Sequence, residues 1–321
     1  GELTGVGIQI SQDEETKEII VVAPIEDTPA FEAGIRSKDV ILKIDGESTT
    51  GMELSDAVNK IRGKVGSQVT LLIRRGDEQL EVPITRARIE IHPVRYSLKL
   101  GPEGPVGYIR LTQFSANAAA EMGEAIRALE GEQVTGYILD LRSNPGGLLY
   151  SSIDIARMWL DKGTIVSTVN RQGVVDEEAA TQRALTNKPL VVLVDGGSAS
   201  ASEILSGALQ DNDRAVLVGT RTFGKGLVQS VRSLADGSGL AVTVAKYLTP
   251  SGRDINTNGI EPDIQVELTE DQRELLADDR ELIGTPDDPQ YAQALTALTT
   301  AIEEARANRR LTSVGTGDRQ P

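Results

Sequence analysis

Residues 189–210 read PLVVLVDGGSASASEILSGALQ. The opening seven residues form a short, apolar, valine-rich run of the kind that makes a buried strand, and residues 202–210 (SEILSGALQ) are spaced as a helix. The segment therefore predicts a strand, a tight turn and a helix, with Ser200 at the turn. A helix N-terminus leaves N–H groups unpaired and carries the positive end of the helix dipole. A nucleophile placed there has the next amide, that of Ala201, available as an oxyanion donor. Serine before a helix with glutamate three residues later is equally a capping box. Of Ser198, Ser200 and Ser202, only Ser200, paired with Glu203, has that register. Capping and catalysis compete for one residue.

A serine hydroxyl attacks poorly at neutral pH unless a neighbouring group takes its proton. The chain has one histidine, His92, set before Pro93 between the two halves of the sequence, where it reads as a surface or packing residue rather than a base or metal ligand. Lys225, in TFGKGLVQ (222–229), is the candidate base. A lysine serves as a base only when neutral, a state that an apolar pocket favours. Phe223, Leu227 and Val228 are expected to line such a pocket, with Gly224 and Gly226 bending the backbone so that Lys225 points inward. Taken alone, a lysine is more often a solvated surface group.

Residues 219–225 (GTRTFGK) also match the first seven positions of a phosphate-binding loop and follow a strand-like run at 214–218. That loop needs Ser or Thr after its lysine to hold magnesium and a helix beyond it. This chain has Gly226 there, and 226–248 reads as two strands around the turn ADGSG. The nucleotide reading is set aside on those grounds. Upstream, the strand-like run YILDL (137–141) leads into LRSNPGG (141–147), a turn whose glycines let a backbone amide approach a ligand. It is also what an ordinary strand-to-helix turn looks like.

Composition narrows the classes. Thirty-three Lys and Arg against 48 Asp and Glu give a formal net charge of −15, which repels nucleic acid phosphate. The absence of cysteine removes disulfides and thiolate chemistry, and no metal or cofactor is implied. No apolar run approaches a membrane span. The chain starts without Met and inside a motif, so an upstream export segment is expected to have been removed.

Residues 1–87 carry short strands at 7–10, 19–23, 40–44, 69–74 and 79–84, interrupted by helical stretches at 29–33 and 55–62. From 88 to 321 strands and helices alternate (strands 107–111, 137–141 and 164–170; helices 116–129 and 151–160), which implies an α/β core. The polar run 172–187 reads as a mobile loop near the cleft, 292–307 as a helical extension, and 309–321 as a frayed tail.

The runs SASASE (198–203), FGKGLVQ (223–229) and YLTPSGRDINTNGIEPD (247–263) together resemble the carboxyl-terminal processing peptidases, also called tail-specific proteases. The resemblance implies a crotonase/ClpP-like α/β core with a serine/lysine dyad: Ser200 as nucleophile, Lys225 as general base, Gln229 orienting the lysine, Glu203 as an acidic neighbour, and the amides of Gly147 and Ala201 as oxyanion donors. The first half resembles a PDZ domain of bacterial type through LTGVGI (3–8), DTPAFEAGI (27–35) and KDVILKIDGEST (38–49). In such a domain a peptide adds as a strand at a sheet edge, and a loop catches its terminal carboxylate. That loop corresponds to Leu3, Thr4, Gly5 and Val6, with Gly7 and Ile8 opening the edge strand. LIGTPDDPQ (282–290) is similar to cyanobacterial and plastid members. The resemblance therefore implies a protein C-terminus as partner, with a photosystem II reaction-centre precursor in the lumen or periplasm as the implied case, and membrane contact only through the substrate. Two other readings stay in view: a non-catalytic adaptor that binds C-termini, and an acyl-CoA enzyme of crotonase type, which would lack the PDZ-like half.

Overall fold

The computed structural model describes residues 3–25, 28–90, 92–233 and 239–314. The chain forms two compact units, Gly1–Ile91 and His92–Pro321. In the first, β1 (Leu3–Gly5) precedes β2 (Ile8–Gln12), β3 (Ile19–Pro24), the short helix α1 (Pro29–Glu32), β4 (Val40–Ile44), β5 (Glu47–Ser48), α2 (Leu54–Ile61), β6 (Gln68–Arg75), β7 (Glu78–Thr85) and β8 (Ala87–Ile89). An antiparallel sheet runs β2-β3-β4-β6-β7, with β5 paired to β4. Alternation drives it: Val69, Leu71 and Ile73 of β6 and Ile19 and Val21 of β3 are buried beneath Ala57 and Ile61 of α2. Residues Leu3–Gly5, expected to form a loop, are instead a strand paired antiparallel with β8. The turn is left to Val6 and Gly7, where Gly7 has φ +82° and a Cβ would fall 2.3 Å from Thr28.

The second unit is built on a six-stranded sheet. Its elements are β9 (Val94–Gly101), β10 (Gly104–Leu111), α3 (Ala118–Gly131), β11 (Gly136–Asp140), α4 (Leu149–Trp159), β12 (Thr164–Asn170), β13 (Gly173–Ala179), β14 (Leu190–Val194), α5 (Ala201–Asp211), β15 (Val216–Gly219), β16 (Leu227–Ser233), β17 (Gly239–Leu248), β18 (Ile264–Gln265), α6 (Glu270–Asp278) and α7 (Pro289–Val314). The sheet order is β18-β15-β14-β11-β10-β9, parallel except for β9. Both faces are covered, so the central strands are apolar throughout. Tyr137, Leu139, Val192, Val194 and Leu217 pack towards α3, α4 and α5. Ile138, Val191, Leu193 and Val218 face Tyr291, Ala294, Leu298 and Ile302, the apolar stripe of α7. A second, antiparallel sheet runs β13-β12-β17-β16.

Two expectations are corrected. The polar run 172–187 contains β13, an edge strand paired with β12, in which the charged Asp176, Glu177 and Glu178 in succession interrupt the alternation that marks a half-buried strand. The tail taken to fray from residue 309 continues α7 as far as Val314. Residues 234–238, within the turn ADGSG and just before it, and 315–321 lie outside the described residues. Among the described residues no helix is long and apolar enough to cross a membrane.

Candidate active site

Three loops leave the carboxyl ends of the parallel strands β11, β14 and β15 and meet, the usual place for a site in an open α/β sheet. The loop after β14 carries the three serines, and the structure separates them. Ser198 is fully buried, its hydroxyl donating to the Leu141 carbonyl at 2.8 Å. Ser202 is fully buried too, donating to the Asn144 carbonyl at 2.9 Å. Both are fasteners. Ser200 alone is half-buried, and it stands before α5 at φ 55°, ψ −113°, a conformation that strains any residue with a Cβ. Its register with Glu203 is that of a capping box. However, the Glu203 amide donates to the Ser200 carbonyl at 2.9 Å, and no side-chain cap bond engages the Ser200 hydroxyl. The two halves of the box face each other, the Glu203 carboxylate accepting the Ser200 amide at 2.8 Å and the Ser200 side chain set towards the Glu203 amide without a full hydrogen bond, so cap and nucleophile still share this residue.

Glu203 is fully buried and accepts four hydrogen bonds. Oε1 takes the Thr222 hydroxyl and the Gly224 amide, each at 2.6 Å, while Oε2 takes the amides of Ser200 and Lys225, each at 2.8 Å. One carboxylate thus ties the serine turn to the lysine loop, and the two backbone nitrogens lie no further apart than twice 2.8 Å. The Phe223 amide adds a bond to the Ser198 carbonyl at 3.0 Å.

Along this loop burial alternates. Thr222, Gly224 and Gly226 face inward, whereas Arg221, Phe223, Lys225 and Leu227 face outward. The glycines serve close approach rather than an inward turn of the lysine: a Cβ on Gly226 would lie 2.5 Å from the Asn256 amide nitrogen, and one on Gly224 2.9 Å from the Thr257 backbone. Lys225 is consequently exposed, and the apolar pocket expected from Phe223 and Leu227 is open, with Phe223 67% exposed. Beyond it β16 begins, so no helix follows the lysine as a phosphate loop would require. Gln229 lies on β16 opposite Thr243, next to a register shift; its side chain falls outside the described residues.

The third loop brings in the second oxyanion candidate. Gly146 packs on the serine turn so closely that a Cβ would sit 2.6 Å from the Ala199 carbonyl and 2.9 Å from both Ser200 Cβ and the Ala201 nitrogen. Gly147, at φ +145°, bridges Phe114 in parallel fashion. The bridge uses the amides of Phe114 (to the Gly146 carbonyl, 3.0 Å) and Leu148 (to the Phe114 carbonyl, 2.8 Å), which leaves the Gly147 amide out of the ladder. Asn144 pins the loop. Its side chain donates to the Leu111 carbonyl and accepts from the Gly146 amide, and its carbonyl accepts from Ala199 and Ser202.

In the first unit a cavity of about 210 Å³ opens between Thr4 to Ile8 on one side and Val58, Ile61 and Arg62, at the end of α2, on the other. Its walls are mainly aliphatic, and β2 beside it is an edge strand of its sheet, the position at which a peptide strand adds in strand-addition recognition. Leu3 is not part of its lining; its backbone pairs with Ile89 instead.

Comparison with known proteins agrees with this arrangement. Residues 105–266 match peptidase family S41, and residues 20–75 match the PDZ domain family. The chain is 48% identical, over 98% of its own length and 73% of the relative's, to a carboxyl-terminal-processing protease of Synechocystis sp.. It is 44% identical over 83% of its length to carboxyl-terminal-processing peptidase 3, chloroplastic, of Arabidopsis thaliana, of which it covers 54%. The chain belongs to peptidase family S41. A solved photosystem II D1 C-terminal processing protease matches 83% of the chain, and 73% of its own, at 39% identity with a TM-score of 0.55. The protein is a serine-type peptidase of mixed α/β fold with an N-terminal PDZ domain, which sets aside the adaptor and acyl-CoA readings.

Three polar residues that brace the candidate site escaped the sequence. Asn144 looked like a turn former, yet it is fully buried, with both ends of its carboxamide hydrogen-bonded. Thr222 gave no signal at all; its hydroxyl donates to Glu203 and accepts from the Ile260 amide at 2.7 Å, joining the lysine loop to 255–260. Arg142 is buried between Asp140 and Asp288. Burial alone raises the pKa of the Asp140 carboxyl, but the charge and hydrogen bonds of Arg142, helped by Arg110 and the Tyr108 hydroxyl, bring it below its ordinary range. Desolvation likewise works against the Arg142 charge and is outweighed by the two carboxylates, so its pKa is raised. His92 sits at the surface with Nδ1 3.1 Å from Glu121, away from all of this chemistry.

Proposed function

We propose that the protein hydrolyses peptide bonds near the C-terminus of protein substrates by acyl transfer, with Ser200 as nucleophile and Lys225 as general base. The observation that carries this reading is the shared Glu203 clamp, which holds the half-buried serine of the cluster and the lysine loop together through their backbones. Neutral Lys225 takes the Ser200 proton as Oγ bonds to the scissile carbonyl carbon. The amides of Gly147 and Ala201 donate to the resulting oxyanion. As the tetrahedral species collapses the C–N bond breaks, and Lys225 gives its proton to the leaving amine. Water then repeats the sequence, with Lys225 as base, to release the acid. Gln229 orients the lysine, and Glu203 positions both partners through their backbones.

The exposure of Lys225 fits a site completed by its substrate. A chain laid over Phe223, Lys225 and Leu227 excludes water from this face of the loop. The PDZ cavity takes the free carboxylate and an aliphatic terminal side chain. By likeness to the cyanobacterial and chloroplast relatives, the substrate is a photosystem II reaction-centre precursor, and the protein works in the thylakoid lumen or periplasm.

Mass spectrometry of one peptide with a free and with an amidated C-terminus, incubated with wild type and Ser200→Ala, tests both halves. Cleavage of the free form by wild type alone is expected. Turnover by Ser200→Ala removes the nucleophile, and equal cleavage of both peptides removes the carboxylate recognition.

A further inference from the structure

The loop that presents Gly147 leaves β11 at Asp140, and Arg142 at its root is held both by that aspartate and by residues far from it in sequence. Its Nε and Nη2 donate to Asp140 at 3.0 and 2.6 Å, its Nη1 and Nη2 to Asp288 at 3.0 and 2.7 Å, and Nη1 also to Gln290 at 3.1 Å. Its own amide donates to Asp140 at 3.0 Å. Asp140 and Asp288 are both fully buried. Asp288 serves two elements at once. Oδ1 accepts the amides of Gln290 and Tyr291, opening α7, and Oδ2 accepts the Gly284 amide, while both oxygens face the guanidinium.

A buried ion triad is a poor device for stability alone, because desolvating three charges cancels most of their attraction and apolar side chains would fill the space at less cost. What a forked guanidinium between two carboxylates supplies is direction, since its plane is fixed at both ends. Ser143 follows at φ +57°, its amide bound to Asp195 at 2.7 Å, and Asn144 is buried next to it. The stalk of the loop is therefore held on one side by the nucleophile turn and on the other by α7.

We propose that Arg142 and Asp288 are positioning residues for the oxyanion loop, so that the start of α7, 146 residues away from Arg142, belongs to the catalytic apparatus. This rests on the reading of Gly147 as an oxyanion donor. Asp288→Asn keeps the side-chain shape and removes the charge that holds the fork. In the full chain it is expected to leave KM within about twofold and to lower kcat, and the rate at which a fluorophosphonate labels Ser200, by at least about tenfold, part of the 10²–10³ that loss of an oxyanion donor costs. Leu298→Ala loosens α7 against the sheet at another point and is expected to lower Tm with kcat unchanged. Gln290→Leu, which removes one of the Arg142 bonds, together with the Gln290 bond to the Val266 carbonyl, without burying a charge, covers the case of an Asp288 variant that does not fold, with a fall in kcat of about threefold or more expected from loss of one bond to the guanidinium. Wild-type labelling rates in Asp288→Asn, or in Gln290→Leu if the first does not fold, overturn the proposal. Absence of labelling in the wild type itself overturns the underlying reading instead.

Discussion

The main-chain amides of Ser200 and Lys225 end on a single atom, Oε2 of Glu203, each 2.8 Å away. Backbone distance between the two loops is thereby fixed through main-chain bonds alone. A carboxamide cannot reproduce this. In Glu203→Gln, whichever way the amide is turned, its NH2 faces two donors, leaving buried groups unpaired at about 1–3 kcal/mol each. Thermal unfolding should show a destabilised protease unit, and fluorophosphonate labelling should slow by more than about tenfold. A glutamine variant that labels at the wild-type rate would mean that the clamp does not set the dyad.

Ser200→Ala and Lys225→Ala should each abolish peptide cleavage, with a loss of at least about 10³ in kcat. Binding of a C-terminal peptide, measured by fluorescence anisotropy, should be unchanged in both, because the cavity at Thr4 to Ile8 lies in the other compact unit. Retained turnover in Lys225→Ala would assign the base elsewhere.

Gly146→Ala and Gly147→Ala are expected to separate fold from function. A methyl at 147 meets the Phe114 carbonyl at 2.3 Å and one at 146 meets the serine turn, both at positive φ and both against backbone that has no side chain to swing aside. The loop has to move. Activity should fall by about 10² or more, with far-ultraviolet circular dichroism unchanged.

How much of this was legible beforehand follows from what kind of contact each residue makes. The strand, turn and helix around Ser200 were readable because burial on both faces of the sheet writes a continuous apolar run, and β14 and α5 fall within a residue or two of the expected bounds. Lys225 was found by motif, but its orientation was misjudged: glycines that admit a neighbouring backbone look, in sequence, the same as glycines that admit a bend. Thr222, Asn144 and the Arg142–Asp288 pair were invisible because each works by hydrogen bonds across long sequence separations, which leave no periodicity. Strand β13 was missed because an edge strand facing water has no apolar alternation to read.

Acid should act on the same cluster that steadies the oxyanion loop. The folded-state pKa of Asp140 lies below its unfolded value of about 3.9, so between the two the unfolded chain binds the proton and the folded chain does not. Stability therefore rises with pH across that window; the contribution is complete above the unfolded value and is lost as pH falls through the folded one. Urea unfolding of wild type between about pH 2 and 5 should show this slope below the unfolded value, and Asp140→Asn should flatten it. An identical slope in the two proteins would place the acid lability in other carboxylates.

The backbone at Ser200 costs the fold about 1–3 kcal/mol that glycine would not. Selection for folding alone would thus drift this position to glycine, and the proposed role in turnover is what would hold a hydroxyl there. A descendant of this chain that kept peptide capture and gave up hydrolysis should carry Gly at 200 and tolerate more heat than its ancestor. Heat resistance gained with loss of the hydroxyl would then be the mark of a retired enzyme.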